Sequence, residues 1–136
     1  MTAVTRFFFT PVLETPTVFA VINWWESRRM VYNTAVGAMG LLSLAAMGFF
    51  AVLPPHAENV TFPWPAVLAY GVLANLCYSL GPLAELFIRR VWGERYGVIG
   101  PVLLRYGFAF SIGLSLLPIP FAALGWGIRI VRLFIV

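Results

Sequence analysis

Few side chains in this sequence could do chemistry, and the most unusual are two charged residues inside apolar segments. Glu85 and Arg105 lie in stretches that otherwise carry almost no charge. An ion inside a lipid bilayer costs at least about 2.5–3.5 kcal/mol, so such residues usually pair or face a cavity. We therefore predict an intramembrane Glu85–Arg105 pair. The alternative is that the Arg105 side chain extends to the lipid headgroups.

Residue types that serve in catalysis or metal binding are scarce. The single histidine, His56, lies in a proline-rich loop, and the single cysteine, Cys77, is expected to fill a helix interface. Acid–base, nucleophilic and zinc chemistry each need several suitable side chains held together. Haem ligation commonly uses a histidine, and no predicted span contains one. We therefore predict a protein that is not an enzyme and has no metal, pigment or other cofactor, with bound lipid or detergent as its expected ligand.

The composition indicates that these residues are held by membrane-spanning helices. Hydrophobic residues make up 61% of the 136 residues and charged residues only 10%, whereas a soluble domain carries about 25% charged residues. A spanning helix needs roughly 20 apolar residues. The sequence predicts one domain, an all-α integral membrane helical bundle preceded by an amphipathic interfacial helix that is capped by Thr15. The interfacial helix is expected at about 16–32 and the spans at about 33–53, 66–88, 98–117 and, as a short fourth, 119–136.

The last part of the chain leaves the number of spans open. The stretch Gly97–Val136 is too long for one crossing of about 30 Å of hydrocarbon, and Pro118 and Pro120 divide it. Four spans would return Arg129 and Arg132 to the cytoplasmic side, whereas three spans would leave them on the other side. We favour four spans.

Arginine and tryptophan residues near the span edges predict the orientation. All nine basic residues are arginine, and loops on the cytoplasmic side carry an excess of positive charge. The segment between Pro54 and Pro65 has no arginine, so the N-terminus is expected in the cytoplasm and the protein in a bacterial inner membrane. Basic collars attract anionic lipid, and tryptophan prefers the headgroup level. The predicted interface and anionic-lipid anchors are Trp24, Trp25, Arg28, Arg29, Arg89, Arg90 and Arg95.

Small and polar residues recur at helical spacing on one face of the second and third spans. Small residues let helix backbones approach closely, and Asn or Ser side chains can hydrogen-bond across the interface. The alternative is a polar path for ions or solutes. The predicted helix-packing face comprises Gly71, Asn75, Ser79, Gly107, Ser111 and Ser115.

Three segments resemble a family of small, uncharacterised bacterial membrane proteins. The segment 25–33, WESRRMVYN, is similar to the family pattern W-E-x-R-R-x-x-Y-N, and 75–85, NLCYSLGPLAE, is similar to N-x-C-Y-x-L-G-x-x-x-E. Phe110-Ser111 and Leu117-Pro118 resemble the F-S and L-P ending of the same family. No activity is assigned to that family, so the resemblance implies only a compact multi-spanning protein. The residues that recur in the family pattern are Glu26, Arg28, Arg29, Asn75 and Glu85.

These observations predict a non-catalytic accessory subunit of a larger bacterial membrane complex, of respiratory or photosynthetic type. Its expected partners are other membrane subunits and anionic lipids, and nucleic acid is not expected. The alternative is a small homo-oligomeric transporter or channel. Its polar path along the second and third spans would be lined by Asn75, Ser79, Glu85 and Arg105.

Overall fold

A computed structural model of the chain describes residues 5–7, 10, 17–55, 61–93 and 99–135. Apart from a short helical turn at 5–7, these residues form the helices α1 (Val18–Val52), α2 (Trp64–Trp92), α3 (Ile99–Leu116) and α4 (Pro118–Ile135). The described ranges contain no strand. Three helical segments, α1, α2 and the combined stretch Ile99–Ile135, are long and apolar enough to cross a membrane. The predicted all-α membrane bundle is confirmed.

α1 is one continuous helix where the sequence predicted two elements. The Thr17 hydroxyl caps its N-terminus by accepting a hydrogen bond from the Ala20 backbone N–H at 3.2 Å, while the predicted cap at Thr15 lies outside the described residues. Neither glycine nor proline interrupts the segment from 18 to 36, so the predicted interfacial helix and first span join into 35 helical residues. The helix ends at Val52, before Pro54-Pro55, as the sequence predicted.

α2 runs antiparallel to α1. The Tyr70 hydroxyl donates to the Val36 carbonyl at 3.2 Å, and the Tyr78 hydroxyl donates to the Trp25 carbonyl at 2.5 Å. As residue numbers rise on α2, they fall on α1, which defines the direction. Pro82 lies inside α2, and the helix continues through it to Trp92.

α4 continues in the direction of α3, so the predicted fourth span that returns across the membrane is wrong. Tyr32 of α1 contacts Ser111 of α3, whereas Phe50, near the end of α1, contacts Arg129 of α4. The residue numbers rise together, so α3 and α4 both run parallel to α1. Only one turn residue separates them, and Pro118 begins α4, a position where its missing N–H costs no hydrogen bond. Together they form an interrupted helix of 37 residues, about 55 Å long.

Arginine side chains lie at two levels along the bundle axis, and the distance between these levels is about the thickness of a membrane. From Arg29 to Phe50, whose carbonyl binds Arg129, α1 rises about 32 Å. The hydrocarbon core of a bilayer is about 30 Å thick. The Glu85 end is the part of the bundle formed by α1 before Arg29 together with the neighbouring segments 81–92 of α2 and 99–104 of α3. The opposite part, which comprises α4 and the last turn of α1, is the α4 end.

The buried core lies on one face of α1 and is concentrated toward the Glu85 end. The buried residues of α1 recur at intervals of three, four or seven positions, which places them on one face of the helix. α4 has no buried residue. The buried side chains of α1 are those of Val21, Trp25, Arg28, Tyr32, Val36 and Ser43.

Candidate functional site

Glu85 is the centre of a buried polar cluster in which the three long segments of the bundle meet. Its side chain is 2% exposed. The carboxylate accepts hydrogen bonds from Trp25 Nε1 at 2.7 Å and from Arg89 Nε and Nη2 at 3.0 and 2.7 Å. Gly100 of α3 provides the space, because a Cβ atom there would lie only 2.5 Å from Glu85 Oε2. The cluster therefore joins α1, α2 and α3 around one compensated charge.

The predicted Glu85–Arg105 pair is wrong, because the partner of Glu85 is Arg89. Arg89 lies four residues later on the same helix, and its Nη2 atom is 2.7 Å from Glu85 Oε1. Side chains at this spacing face each other on neighbouring turns, so the charge is compensated within α2. Glu85 faces Gly100 of α3, and Arg105 lies about 7 Å further along that helix. The Arg105 side chain is exposed.

Trp25 and Arg28, which were predicted to anchor the protein at the lipid interface, are instead buried between helices, 2% and 6% exposed. The Trp25 ring packs edge-on against the Tyr78 ring with centroids 5.5 Å apart. The Arg28 guanidinium lies 3.8 Å from the centroid of the Trp24 ring and donates to the Trp24 carbonyl at 2.7 Å and to the Phe7 carbonyl. These contacts hold the Glu85 end together.

The remaining predicted anchors occupy different environments. Arg29 pairs with Glu26 at 2.6 Å and is 29% exposed. Trp24 is half-buried and donates from Nε1 to the Thr10 carbonyl at 3.0 Å. Arg90 is exposed, and Arg89 binds Glu85 as described above. Arg95 lies outside the described residues, and anionic-lipid binding stays a prediction.

Two polar residues of the predicted packing face do contact α1. Asn75 Oδ1 accepts from Asn33 Nδ2 at 3.1 Å, and Ser79 Oγ accepts from Arg29 Nη2 at 3.3 Å. Asn75 also donates to the Gly71 carbonyl at 3.0 Å within α2. The polar side chains of this face therefore bind the neighbouring helix at its edge.

The two serines of the predicted face lie in the middle of the bundle. Ser111 Oγ is 2.9 Å from the Tyr32 hydroxyl. Ser115 is 3% exposed; its carbonyl accepts from Ser43 Oγ at 2.5 Å, and its hydroxyl bonds to the Tyr70 hydroxyl. These contacts link α3 to both α1 and α2. Two glycines of the predicted face are exposed, and a Cβ there would meet no atom within 4 Å: Gly71 and Gly107.

Sequence reasoning missed the tyrosine hydroxyls that bridge the helices. The Tyr32 ring packs on the Tyr78 ring with centroids 4.5 Å apart, and Tyr32 is 3% exposed. The available signal was spacing, because Tyr70 and Tyr78 lie about two turns apart on one face of α2. Hydroxyls on a shared face of a span need partners on neighbouring helices.

The residues of the alternative transport path do not come together. Asn75 and Ser79 lie at the α1–α2 edge, Glu85 is covered by Trp25, and Arg105 is exposed on α3. Cys77 is exposed and does not fill a helix interface as predicted. The part of the chain that the structure describes contains no group of three or more His, Cys, Asp or Glu side chains that could hold a metal ion. His56 lies outside that part.

The outward face of α4 is the other candidate surface. The inward face contacts α1 through Trp126, whose Nε1 donates to the Pro54 carbonyl at 2.9 Å, and through Arg129, which donates to the carbonyls of Phe50 and Ala51. About half a helical turn away, an apolar groove follows α4. Its lining includes Ala123, Leu124, Gly127, Ile128, Val131 and Ile135.

Comparison with known proteins assigns no family. No family model, curated protein or solved structure matches the chain.

Proposed function

We propose that this protein is a non-catalytic accessory subunit that binds other membrane proteins through the outward face of α4. The observation that carries this proposal is that α4 has 18 residues, none of them buried. Leu124, Ile128 and Val131 are each more than half exposed. α4 packs on α1 along one side, and its opposite side exposes an apolar surface that a partner helix could cover.

The shape of this face supports a helix as the bound element. An exposed apolar surface by itself also suits lipid, since lipid tails are as apolar as leucine. Ala123 and Gly127 lie one turn apart on the groove, and small residues at this spacing let a second helix backbone approach closely. Larger side chains at Leu124 and Ile128 border this depression.

The use of polar side chains within the bundle supports a structural rather than a transporting role. Glu85 is compensated by Arg89, and the hydroxyls of Tyr32, Tyr70 and Ser115 are bonded between helices. A solute path needs polar groups that face an open channel. The polar groups described here face one another instead.

We place the complex in a bacterial inner membrane with the Glu85 end on the cytoplasmic side. The excess of arginine near that end supports this orientation. The aromatic-rich, lysine-free composition supports a respiratory or photosynthetic assembly as the host.

Purification of the full chain from its native membranes in mild detergent tests the proposal. Gly127→Leu would fill the groove, and Gly125→Leu is the matched control, because Gly125 lies on another side of α4 and a Cβ at either glycine meets no atom within 4 Å. Wild type and Gly125→Leu are expected to co-purify with the same partner subunits at constant stoichiometry. Gly127→Leu is expected to lose them at least tenfold.

Three results would contradict this proposal. A wild-type protein isolated as a lone monomer would exclude an accessory subunit. A self-associated protein that conducts ions or solutes in vesicles would favour the homo-oligomeric transporter or channel. Equal loss of the partners in both glycine variants would show that the groove is not the binding surface.

A further inference from the structure

A second groove follows the edge between α1 and α2, and its two ends differ in polarity. It is a shallow, open groove with a volume of about 500 Å³. Arg29 and Ser79 form the polar end, where Arg29 Nη2 donates to Ser79 Oγ at 3.3 Å. Val67 and Leu68 form the apolar end. Gly71 lies between the two ends, and because a Cβ there would meet no atom within 4 Å, the middle of the groove is open.

The length and level of this groove match one leaflet of a bilayer. From Ser79 to Val67, α2 rises about 18 Å, and half of a hydrocarbon core of about 30 Å is about 15 Å. The polar end lies at the level of Arg29, one of the two arginine levels described above. The apolar end points toward the centre of the bundle's membrane-spanning part.

The polar end carries an excess of positive charge. The Arg29 side chain is 29% exposed, and the nearby carboxylate of Glu26 compensates it at 2.6 Å while being 47% exposed itself. Arg28 precedes it on α1. The register of α2 and α3, in which Glu85 faces Gly100, brings Arg105 to a similar level, but on α3 and outside the groove. Guanidinium groups form charge-assisted hydrogen bonds with phosphate.

We propose that this groove binds one anionic phospholipid of the leaflet on the Glu85 side. The phosphate lies against the Arg29 guanidinium and the Ser79 hydroxyl, and one acyl chain follows the open surface at Gly71 toward Val67. The order along the groove, from charged to hydroxylic to apolar, matches a headgroup and its chain, which is why the occupant is a lipid and not a partner helix. This site is separate from the α4 groove and does not depend on the proposed function.

Native mass spectrometry of the full chain tests this site. The protein is reconstituted in nanodiscs with equal amounts of phosphatidylglycerol and phosphatidylcholine, released, and scored for retained lipid. Arg29→Gln and Gly71→Leu are each expected to lower phosphatidylglycerol retention about fivefold, the ratio that corresponds to about 1 kcal/mol. The matched controls Arg105→Gln and Gly107→Leu carry the same changes outside the groove and are expected to stay within about twofold of wild type.

A third variant tests the site in the opposite direction. Glu26→Gln removes the carboxylate that competes with phosphate for Arg29, so phosphatidylglycerol retention is expected to rise. This variant keeps the test decisive if Arg29→Gln lowers the amount of folded protein. Thermal unfolding of each variant in detergent reports folding separately from lipid retention.

Three results would overturn the lipid site. Equal losses in Arg29→Gln and Arg105→Gln, with Gly71→Leu unchanged, would show attraction by the general charge of the surface. Equal retention of phosphatidylcholine and phosphatidylglycerol by wild type would exclude recognition of an anionic headgroup. Loss of a protein partner in Gly71→Leu with unchanged lipid would assign the groove to a protein.

Discussion

The two ends of the bundle differ in how they are held together. At the Glu85 end, three segments pack around a buried carboxylate, and Val21 and Trp25 are 0% and 2% exposed. At the α4 end, α4 has no buried residue. Hydrogen bonds from Trp126 and Arg129 attach it to the end of α1. The difference indicates that the Glu85 end stabilises the fold, while the α4 end leaves an apolar helix face exposed.

Glycines explain why the Glu85 end can pack so closely. A Cβ at Gly81 would collide with the Trp25 ring, and one at Gly100 would contact the Glu85 carboxylate. At the α4 end, a Cβ at Gly125 or Gly127 would meet nothing within 4 Å. The same residue type therefore permits close packing within the chain at one end and leaves an open surface at the other.

The largest effect is expected from Glu85→Ala. The change removes the carboxylate that accepts hydrogen bonds from Arg89 and from the Trp25 indole N–H. Removing one partner of a buried ion pair costs about 3–5 kcal/mol, and because Arg89 is 11% exposed and can reach water, we expect about 3 kcal/mol. Equilibrium unfolding in mixed micelles measures this loss. Glu26→Ala, in an exposed pair, is the control and should cost less than about 1 kcal/mol. Equal costs would refute the special role of the buried Glu85 carboxylate.

A matched pair of tryptophan variants compares the two ends directly. Trp25→Phe removes an N–H bonded to the buried Glu85 carboxylate, and a hydrogen bond to a charged group contributes about 1.5–3 kcal/mol. Trp126→Phe removes an exposed N–H bond to the Pro54 carbonyl, so a loss below about 1 kcal/mol is expected. The same unfolding measurement reports both variants. A larger loss of unfolding free energy for Trp126→Phe than for Trp25→Phe would contradict the conclusion that the Glu85 end contributes more to stability.

Arg129→Gln is expected to loosen α4 without weakening the other end. Arg129 donates to the carbonyls of Phe50 and Ala51 at the C-terminus of α1, where a cation contributes about 0.3–1 kcal/mol. Hydrogen exchange should become several-fold faster across 118–135 and stay unchanged across 81–92. Uniform acceleration along the chain would show that the two ends unfold as one unit.

The smallest effect is expected from Tyr32→Phe in the middle of the bundle. The change removes a hydroxyl that lies 2.9 Å from Ser111 Oγ and donates to the Ala74 carbonyl at 3.3 Å. Hydrogen bonds between membrane helices contribute about 0.6 kcal/mol on average, so the unfolding free energy should fall by about that amount. A loss of unfolding free energy as large as that of Glu85→Ala would show that the middle of the bundle contributes as much to stability as the Glu85 end.

Composition and hydropathy were enough to predict the bundle and its three long segments, because each span needs a run of apolar residues that the sequence shows directly. The direction of α4 could not be predicted in this way. Pro118 ends or begins a helix with equal ease, and the excess length of Ile99–Ile135 could be used either by a return or by a longer helix. Contacts with α1 decide between these two.

The candidate sites were predicted less completely because they depend on which face of each helix is inward. Glu85 was identified from its charge, but depth in the membrane suggested Arg105 as its partner, whereas the spacing of Glu85 and Arg89 within one helix was the better signal. Trp25 and Arg28 are typical of membrane interfaces by residue type. Their burial depends on the packing of α2 and α3 against α1, which residue type does not reveal.

The length of the helices has a practical consequence for imaging this protein. Above Arg29, α1 extends by about 16 Å to its first residue, and α2 and α3 accompany it as the Glu85 end. A detergent micelle that covers the apolar belt would leave this three-helix knob outside. This knob thus offers an asymmetric landmark for particle alignment in electron microscopy and an epitope for an antibody fragment.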